Sequence, residues 1–182
     1  MLFSYIIWQG GKKVKSMKCI CFSDSHGSIS YMKRALDAHP DAEVVFFLGD
    51  GLDDVAQLAE YDRKRAWLVV RGNCDLRSTM LERDVKKLES VTLMGKKIVY
   101  THGDLYGAKY GSDGLILLAE RTGADIVLFG HTHAPFEKYV SGERGVYLFN
   151  PGSIGHSYVN KPSYGLMTLT DSGVLFSHGS FV

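Results

Sequence analysis

The sequence predicts an α/β fold, and three observations predict it. Strand-like apolar runs alternate with helical stretches over residues 17–70; the later part is rich in short strands punctuated by Gly, Ser, Asn and Pro; and five polar motifs fall where strands should end. With 182 residues the chain is only slightly longer than the ~150-residue domain prior, so one core is expected.

The elements follow in order. Residues 1–16 end in Gly-Gly-Lys-Lys-Val-Lys-Ser and are expected to be a leader outside the core, with residues 17–182 forming the single domain. Phe3-Ser4-Tyr5-Ile6-Ile7 offers the alternative of an extra edge strand. Lys18 to Ser23, then a helix over 28–39, Glu43 to Leu48, a helix over 52–61, and Ala66 to Val70 read as βαβ units on a parallel sheet. Val91 to Leu93 and Lys97 to Thr101 flank Met94-Gly95-Lys96 as a hairpin, and a helix follows around 112–122. Asp125 to Phe129, Phe136 to Val140, Val146 to Phe149, Gly165 to Thr170 and Val174 to His178 complete the strands.

Composition narrows the function. A hydrophobic fraction of 45% with 23% charged residues excludes a disordered, collagenous or coiled-coil chain. Lys and Arg nearly balance Asp and Glu, leaving a net charge of +1, so no basic field exists to bind long nucleic acid or an anionic membrane. Cys19 and Cys21 lie too close along one strand to bridge easily, which points to a reducing, cytoplasmic setting. The apolar run Leu2 to Trp8 is too short to span a bilayer and lacks a preceding basic residue, so neither a signal peptide nor a membrane span is expected.

The five motifs are Ser23-Asp24-Ser25-His26, Leu48-Gly49-Asp50-Gly51, Arg71-Gly72-Asn73-Cys74-Asp75, Thr101-His102-Gly103-Asp104 and Gly130-His131-Thr132-His133. Taken singly, each has a plain structural reading: a helix N-cap, a turn, or a hydrogen-bonded histidine. Taken together, they place Asp24, His26, Asp50, Asn73, His102, His131 and His133 at the carboxyl ends of strands, where ligand sites form in open α/β sheets. Carboxylate, amide and imidazole donors suit divalent first-row metals, and one carboxylate can bridge two cations about 3.5–4 Å apart. His39, His156 and His178 lack such partners. Asp75 and Asp104 read equally well as ligand-orienting or turn residues.

These residues resemble the metallophosphoesterase (calcineurin-like phosphoesterase) superfamily, and its small YfcE-like phosphodiesterase branch, from Met17 nearly to the end. The resemblance implies a four-layer α/β/β/α sandwich with mixed sheets and a dinuclear centre. Asp24, His26 and His133 would hold the first metal and Asn73, His102 and His131 the second, with Asp50 bridging. Manganese is the expected ion; iron, zinc, cobalt or nickel also fit the ligand types. The larger superfamily has His where this chain has Cys74, as the small branch does. A thiol is a poorer acid catalyst than imidazole at neutral pH, and the other reading of Cys74 is a space-filling thiol with no direct role, since buried cysteines usually act as small hydrophobes. Asn150-Pro151-Gly152-Ser153-Ile154-Gly155-His156 departs from the Pro and basic residue expected of the branch.

The implied reaction is hydrolysis of a small phosphodiester by a hydroxide bridging the metals, with Asp50, Asn73 and His102 around it and no protein nucleophile. The formal charge of such a centre matches a monoanionic diester better than a dianionic monoester. Phosphomonoester or nucleotide hydrolysis at the same site is the first alternative. The second is a non-catalytic scaffold, because retromer uses a protein of this superfamily in that way. A homo-oligomer is compatible with the sequence.

Overall fold

The computed structural model describes residues 5–9, 12–75, 85–155 and 161–181. Its strands are β1 (Tyr5–Gln9), β2 (Lys12–Phe22), β3 (Val44–Phe47), β4 (Ala66–Val69), β5 (Leu88–Leu93), β6 (Lys96–Thr101), β7 (Ile126–Leu128), β8 (Pro135–Val140), β9 (Val146–Pro151), β10 (Ser163–Thr170) and β11 (Gly173–Ser180). Among the described residues, the α-helices α1 (Ile29–Ala38), α2 (Leu52–Tyr61) and α3 (Asp113–Thr122) interrupt them.

Two mixed sheets result. The first runs β11-β10-β2-β3-β4, with β1 paired to the Lys12–Ser16 end of β2; the second runs β5-β6-β7-β9-β8. Period-two alternation assigns each strand's side chains to two different cores. In β2, Cys19 and Cys21 face the space between the sheets, while Ile20 and Phe22 face α1 and α2. In β7, Ile126 and Leu128 face that same central space, while Val127 faces α3. All four residues of β3 are buried, as befits an inner parallel strand covered on both faces. Helix, sheet, sheet and helix therefore stack as four layers.

The Met94-Gly95 turn has positive φ at both residues (48° and 72°), matching a two-residue hairpin that joins Leu93 to Lys96. The strand pairs β2/β3, β3/β4, β6/β7 and β7/β9 are parallel, so within each sheet the carboxyl ends of these strands share one edge. That edge carries the polar motifs. Among the described residues, no helix is long and apolar enough to cross a membrane.

Candidate metal centre

Asp24 and His26 follow β2, Asp50 follows β3, Asn73 follows β4, His102 follows β6, and His131 and His133 follow β7. The two sheet edges meet, and all seven side chains converge. Asp24 and His102 are fully buried and Asp50 is 3% exposed, whereas His26 stands at the solvent margin.

The backbone bends sharply to achieve this. Six described non-glycine residues have positive φ, and five of them are Asp24 (54°), His26 (43°), Asp50 (59°), His131 (67°) and His133 (60°). The sixth is Met94 in the hairpin turn. Left-handed conformations cost about 1–3 kcal/mol each and persist only where the surroundings impose them. The distribution therefore marks this edge as a place where geometry has been favoured over local ease. Gly49, with φ of 98°, lets the β3 turn pass against Gly72 and the His102 ring.

Hydrogen bonds pin the strained loops. Asp75 Oδ2 accepts the N–H groups of Asp50 (2.8 Å) and Gly72 (2.7 Å), and its Oδ1 accepts those of Gly51 (2.8 Å) and Leu52 (3.0 Å). Asp54 Oδ2 accepts the Ser25 hydroxyl (2.6 Å) and the Gly27 N–H (2.8 Å). The Ser23-to-His26 stretch does not cap α1; its N-cap is Ser28, which makes no side-chain capping bond.

His102 organises the centre. Its Nδ1–H donates to the Leu48 carbonyl at 2.8 Å, which turns Nε2 inward. Around Nε2 lie Asn73 Oδ1 at 3.1 Å, Asp50 Oδ2 at 3.3 Å, His131 Nδ1 at 3.2 Å and Asp24 Oδ1 at 3.9 Å. Asp24 Oδ1 also faces His133 Nε2 at 3.2 Å, yet it is buried without completing a hydrogen bond. The imidazoles pair: His26 with His133 (5.4 Å between ring centroids) and His102 with His131 (4.9 Å). Two sets of donor atoms, Asp24/His26/His133 and Asp24/Asp50/His102, each fall within 4.8 Å of one another.

Such a cluster is costly without a cation, because buried carboxylates lose hydration. The protein responds with protons. Burial pushes the Asp50 carboxyl up, but the His102 hydrogen bond and charge and the Cys74 N–H outweigh it and hold that group well below the usual range. Burial alone would lower His102; the neighbouring Asp50 and Asp24 raise it instead. His133 is raised by its Asp24 contact, whereas burial and the charges of His102 and Lys109 lower His131. An orphaned carboxylate oxygen, inward-facing imidazole nitrogens and an amide oxygen make a donor set that fits divalent metal ions.

The burial behind reading Cys74 as a space-filling thiol is corrected. Its side chain is exposed at the lip of a cleft of about 330 Å³ lined also by His26, Asp50, Asp53 and Asp54. Partial desolvation, then the Asp50 carboxylate, push the thiol up to about 11, so it is neutral at pH 7. Of the remaining histidines, His39 caps α1 and reaches the Tyr164 hydroxyl at 3.0 Å. His178 stacks on Phe149 and bonds the Asn150 carbonyl at 2.8 Å. His156 lies outside the described residues.

Sequence reasoning undervalued one segment. Asn150, buried at the end of β9, donates to the Gly130 carbonyl (2.8 Å) and to Thr132 Oγ1 (3.0 Å), bracing the His131–His133 turn. Ser153 Oγ and Gly155 N both donate to the Asp24 carbonyl, at 2.8 and 3.1 Å. β9 runs parallel to β7, so its carboxyl end reaches the same edge, a pairing that no spacing in the sequence supplies.

Comparison with known proteins agrees with this geometry. The probable metallophosphoesterase YsnB of Bacillus subtilis (strain 168) is 32% identical over 154 residues, covering 84% of this chain and 85% of that protein. The solved structure of YfcE, a phosphoesterase from E. coli, matches with a TM-score of 0.62 at 25% identity, over 91% of this chain and 100% of that one. Vps29 from Entamoeba histolytica, solved in complex with Zn2+, shares the fold at 21% identity with a TM-score of 0.65, again over 91% and 100%. Residues 17–172 match the calcineurin-like phosphoesterase superfamily domain, and with the strand-end donors gathered at one edge the chain belongs to that superfamily.

Proposed function

We propose that the chain is a cytoplasmic phosphodiesterase that hydrolyses a small phosphodiester with water activated between two divalent cations, manganese being the first expectation. The observation that carries this reading is the crowding at His102 Nε2, where Asn73 Oδ1 and Asp50 Oδ2 approach within 3.3 Å of a lone pair. Only a proton or a metal ion relieves that arrangement. Bound divalent ions would supply Lewis acidity, lowering the pKa of water and neutralising charge on the phosphoryl oxygens. Asp24, His26 and His133 would hold one ion and Asn73, His102 and His131 the other, with Asp50 between them.

The protein's own contribution is positional. Asp50 is held ionised by its neighbours, and the Leu48 carbonyl fixes the His102 tautomer. The Cys74 thiol stays neutral, so it neither attacks phosphorus nor readily protonates a leaving group. The cleft has the dimensions of a small-molecule site, and Asp53, Asp54 and Asp75 in its wall disfavour an extended polyanion. They also favour a singly charged diester over a doubly charged monoester. Free Cys19 and Cys21, both buried, agree with a reducing compartment.

Matched chromogenic diester and monoester substrates with manganese test this proposal. Faster diester hydrolysis is expected; a strong monoester preference overturns it. A non-catalytic scaffold would instead keep its fold and lose nothing measurable in His131→Ala. The expected result is loss of both bound metal and turnover.

A further inference from the structure

Of the seven donors, His26 is the one that stands exposed. Its backbone is also strained. His26 and Gly27 are the central residues of a turn closed by the Ser28 N–H on the Ser25 carbonyl at 2.8 Å, and both have positive φ, 43° and 91°. That geometry suits glycine at both places and penalises a side chain at the first. The His26 N–H itself reaches the Asp50 carbonyl only at 3.3 Å.

What fixes the turn is a single oxygen of Asp54. Its Oδ2 accepts the Ser25 hydroxyl at 2.6 Å and the Gly27 N–H at 2.8 Å, so it grips the residues on both sides of His26. Asp54 lies in the first turn of α2, where a carboxylate suits the positive end of a helix, yet this oxygen is directed at the loop after β2. The two side chains fit there because residue 51 has none: a Cβ on Gly51 would collide with Ser25 Oγ and stand 3.1 Å from Asp54 Oδ2. Ser25 is fully buried and Asp54 nearly so, which shields the bonds from water.

We propose, on the dinuclear reading above, that Asp54 is the positioning residue of the first metal: it presets His26 beside Asp24 and His133, so that one ion of the two depends on it. These hydrogen bonds run to the β2 loop and not to the ends of β4, β6 and β7 that carry Asn73, His102 and His131. Asp54 acts through backbone and hydroxyl groups; it moves no proton.

Manganese titrations followed by electron paramagnetic resonance compare Asp54→Ala, Asp54→Asn and Ser25→Ala with the parent protein. Asp54→Ala should weaken one of the two ions about 10- to 100-fold and the other less than about 3-fold, the scale expected when a group that orients a ligand is lost. Asp54→Asn keeps an oxygen acceptor and should recover most of the loss. Ser25→Ala removes one of the two bonds without removing the charge, and should give the same selective loss at smaller size. A role confined to fold stability would lower Tm and weaken both ions alike. In the metal-free proteins, the His26 and His133 rings, 5.4 Å apart between centroids, should give a nuclear Overhauser cross-peak that Asp54→Ala abolishes and Asp54→Asn restores. Equal weakening of both ions, parent affinity for both in Asp54→Ala, or an unchanged cross-peak overturns the proposal. If the parent takes up fewer than two ions while the cross-peak still depends on Asp54, the positioning role stands and the dinuclear reading falls.

Discussion

The Asp75 carboxylate grips the backbone N–H of Asp50 at 2.8 Å, so a side chain outside the donor set fixes the backbone of one within it. The same carboxylate holds Gly72, which precedes Asn73, and thereby locks the ends of β3 and β4 in one register. Among the described residues, no other side chain joins these two turns through so many backbone donors.

Asp75→Asn should therefore be damaging although it is nearly isosteric. An amide brings an N–H2 group toward N–H donors and leaves at least one of them unpaired, at a cost of about 1–3 kcal/mol. Turnover with saturating manganese should fall about 10- to 100-fold, as is typical when a group that orients ligands is lost. Thermal melts and steady-state kinetics on the purified variant check both numbers. Undiminished turnover would show that Asp75 only tidies a turn.

Much of this is legible in the sequence. Alternating runs such as Cys19-Ile20-Cys21-Phe22 encode a strand buried on both faces, and five glycine- or serine-flanked polar motifs mark its edge and those of its neighbours. Convergence of the strand ends is an expectation of the sequence, but the distances are not: the packing of the two sheets sets the 3.9 Å between His102 Nε2 and Asp24 Oδ1. Bracing residues were also obscure, because Asp75, Asp54 and Asn150 work through backbone groups whose positions no spacing rule supplies. Cys74 misled for a related reason. Cysteines are usually buried, but this one rides a turn that tertiary contacts hold at the cleft rim.

Gly49 gives a prediction about stability. Its φ of 98° disfavours any side chain, and an added Cβ would sit 2.5 Å from Gly72 N and 2.9 Å from His102 Nδ1. Strain and overpacking together should cost Gly49→Ala about 3 kcal/mol, or about 6–12 °C in Tm. Differential scanning calorimetry decides it. A loss below about 1 °C would mean that the β3 turn yields to an added methyl group.

Proton linkage gives the next. Without metal, Asp50 and Asp24 raise His102 despite its burial, and the Asp24 contact raises His133. A raised folded-state pKa contributes stability that is complete below the unfolded value and disappears as pH climbs through the folded one. The metal-free protein should therefore lose this contribution across and above the ordinary histidine range. Manganese must displace those protons, so its affinity should weaken as pH falls through the same window. Calorimetric titration at pH 7 in two buffers of different ionisation enthalpy should register proton release; identical heats would contradict the linkage.

Cys74 offers a test of how the leaving group departs. Its thiol is pushed up to about 11, so at neutral pH it carries no charge to stabilise a developing alkoxide and gives up its proton too reluctantly to protonate one. Esters with acidic leaving groups should then react best, and the rate should depend steeply on leaving-group pKa. Cys74→Ala should leave hydrolysis of an activated aryl diester within about 3-fold of the parent, since the thiol meets the centre through weak sulfur hydrogen bonds such as that from Asn73 Nδ2 at 3.2 Å, and moves no proton. Cys74→His places an imidazole of ordinary pKa near 6.5 at the same rim position. It should speed poor leaving groups by about 10-fold or more, at the low end of general-acid contributions, and flatten the dependence on leaving-group pKa. A parallel series of aryl diesters measured on all three proteins gives the slopes. Equal slopes for Cys74 and its histidine replacement would place the departing oxygen elsewhere in the cleft.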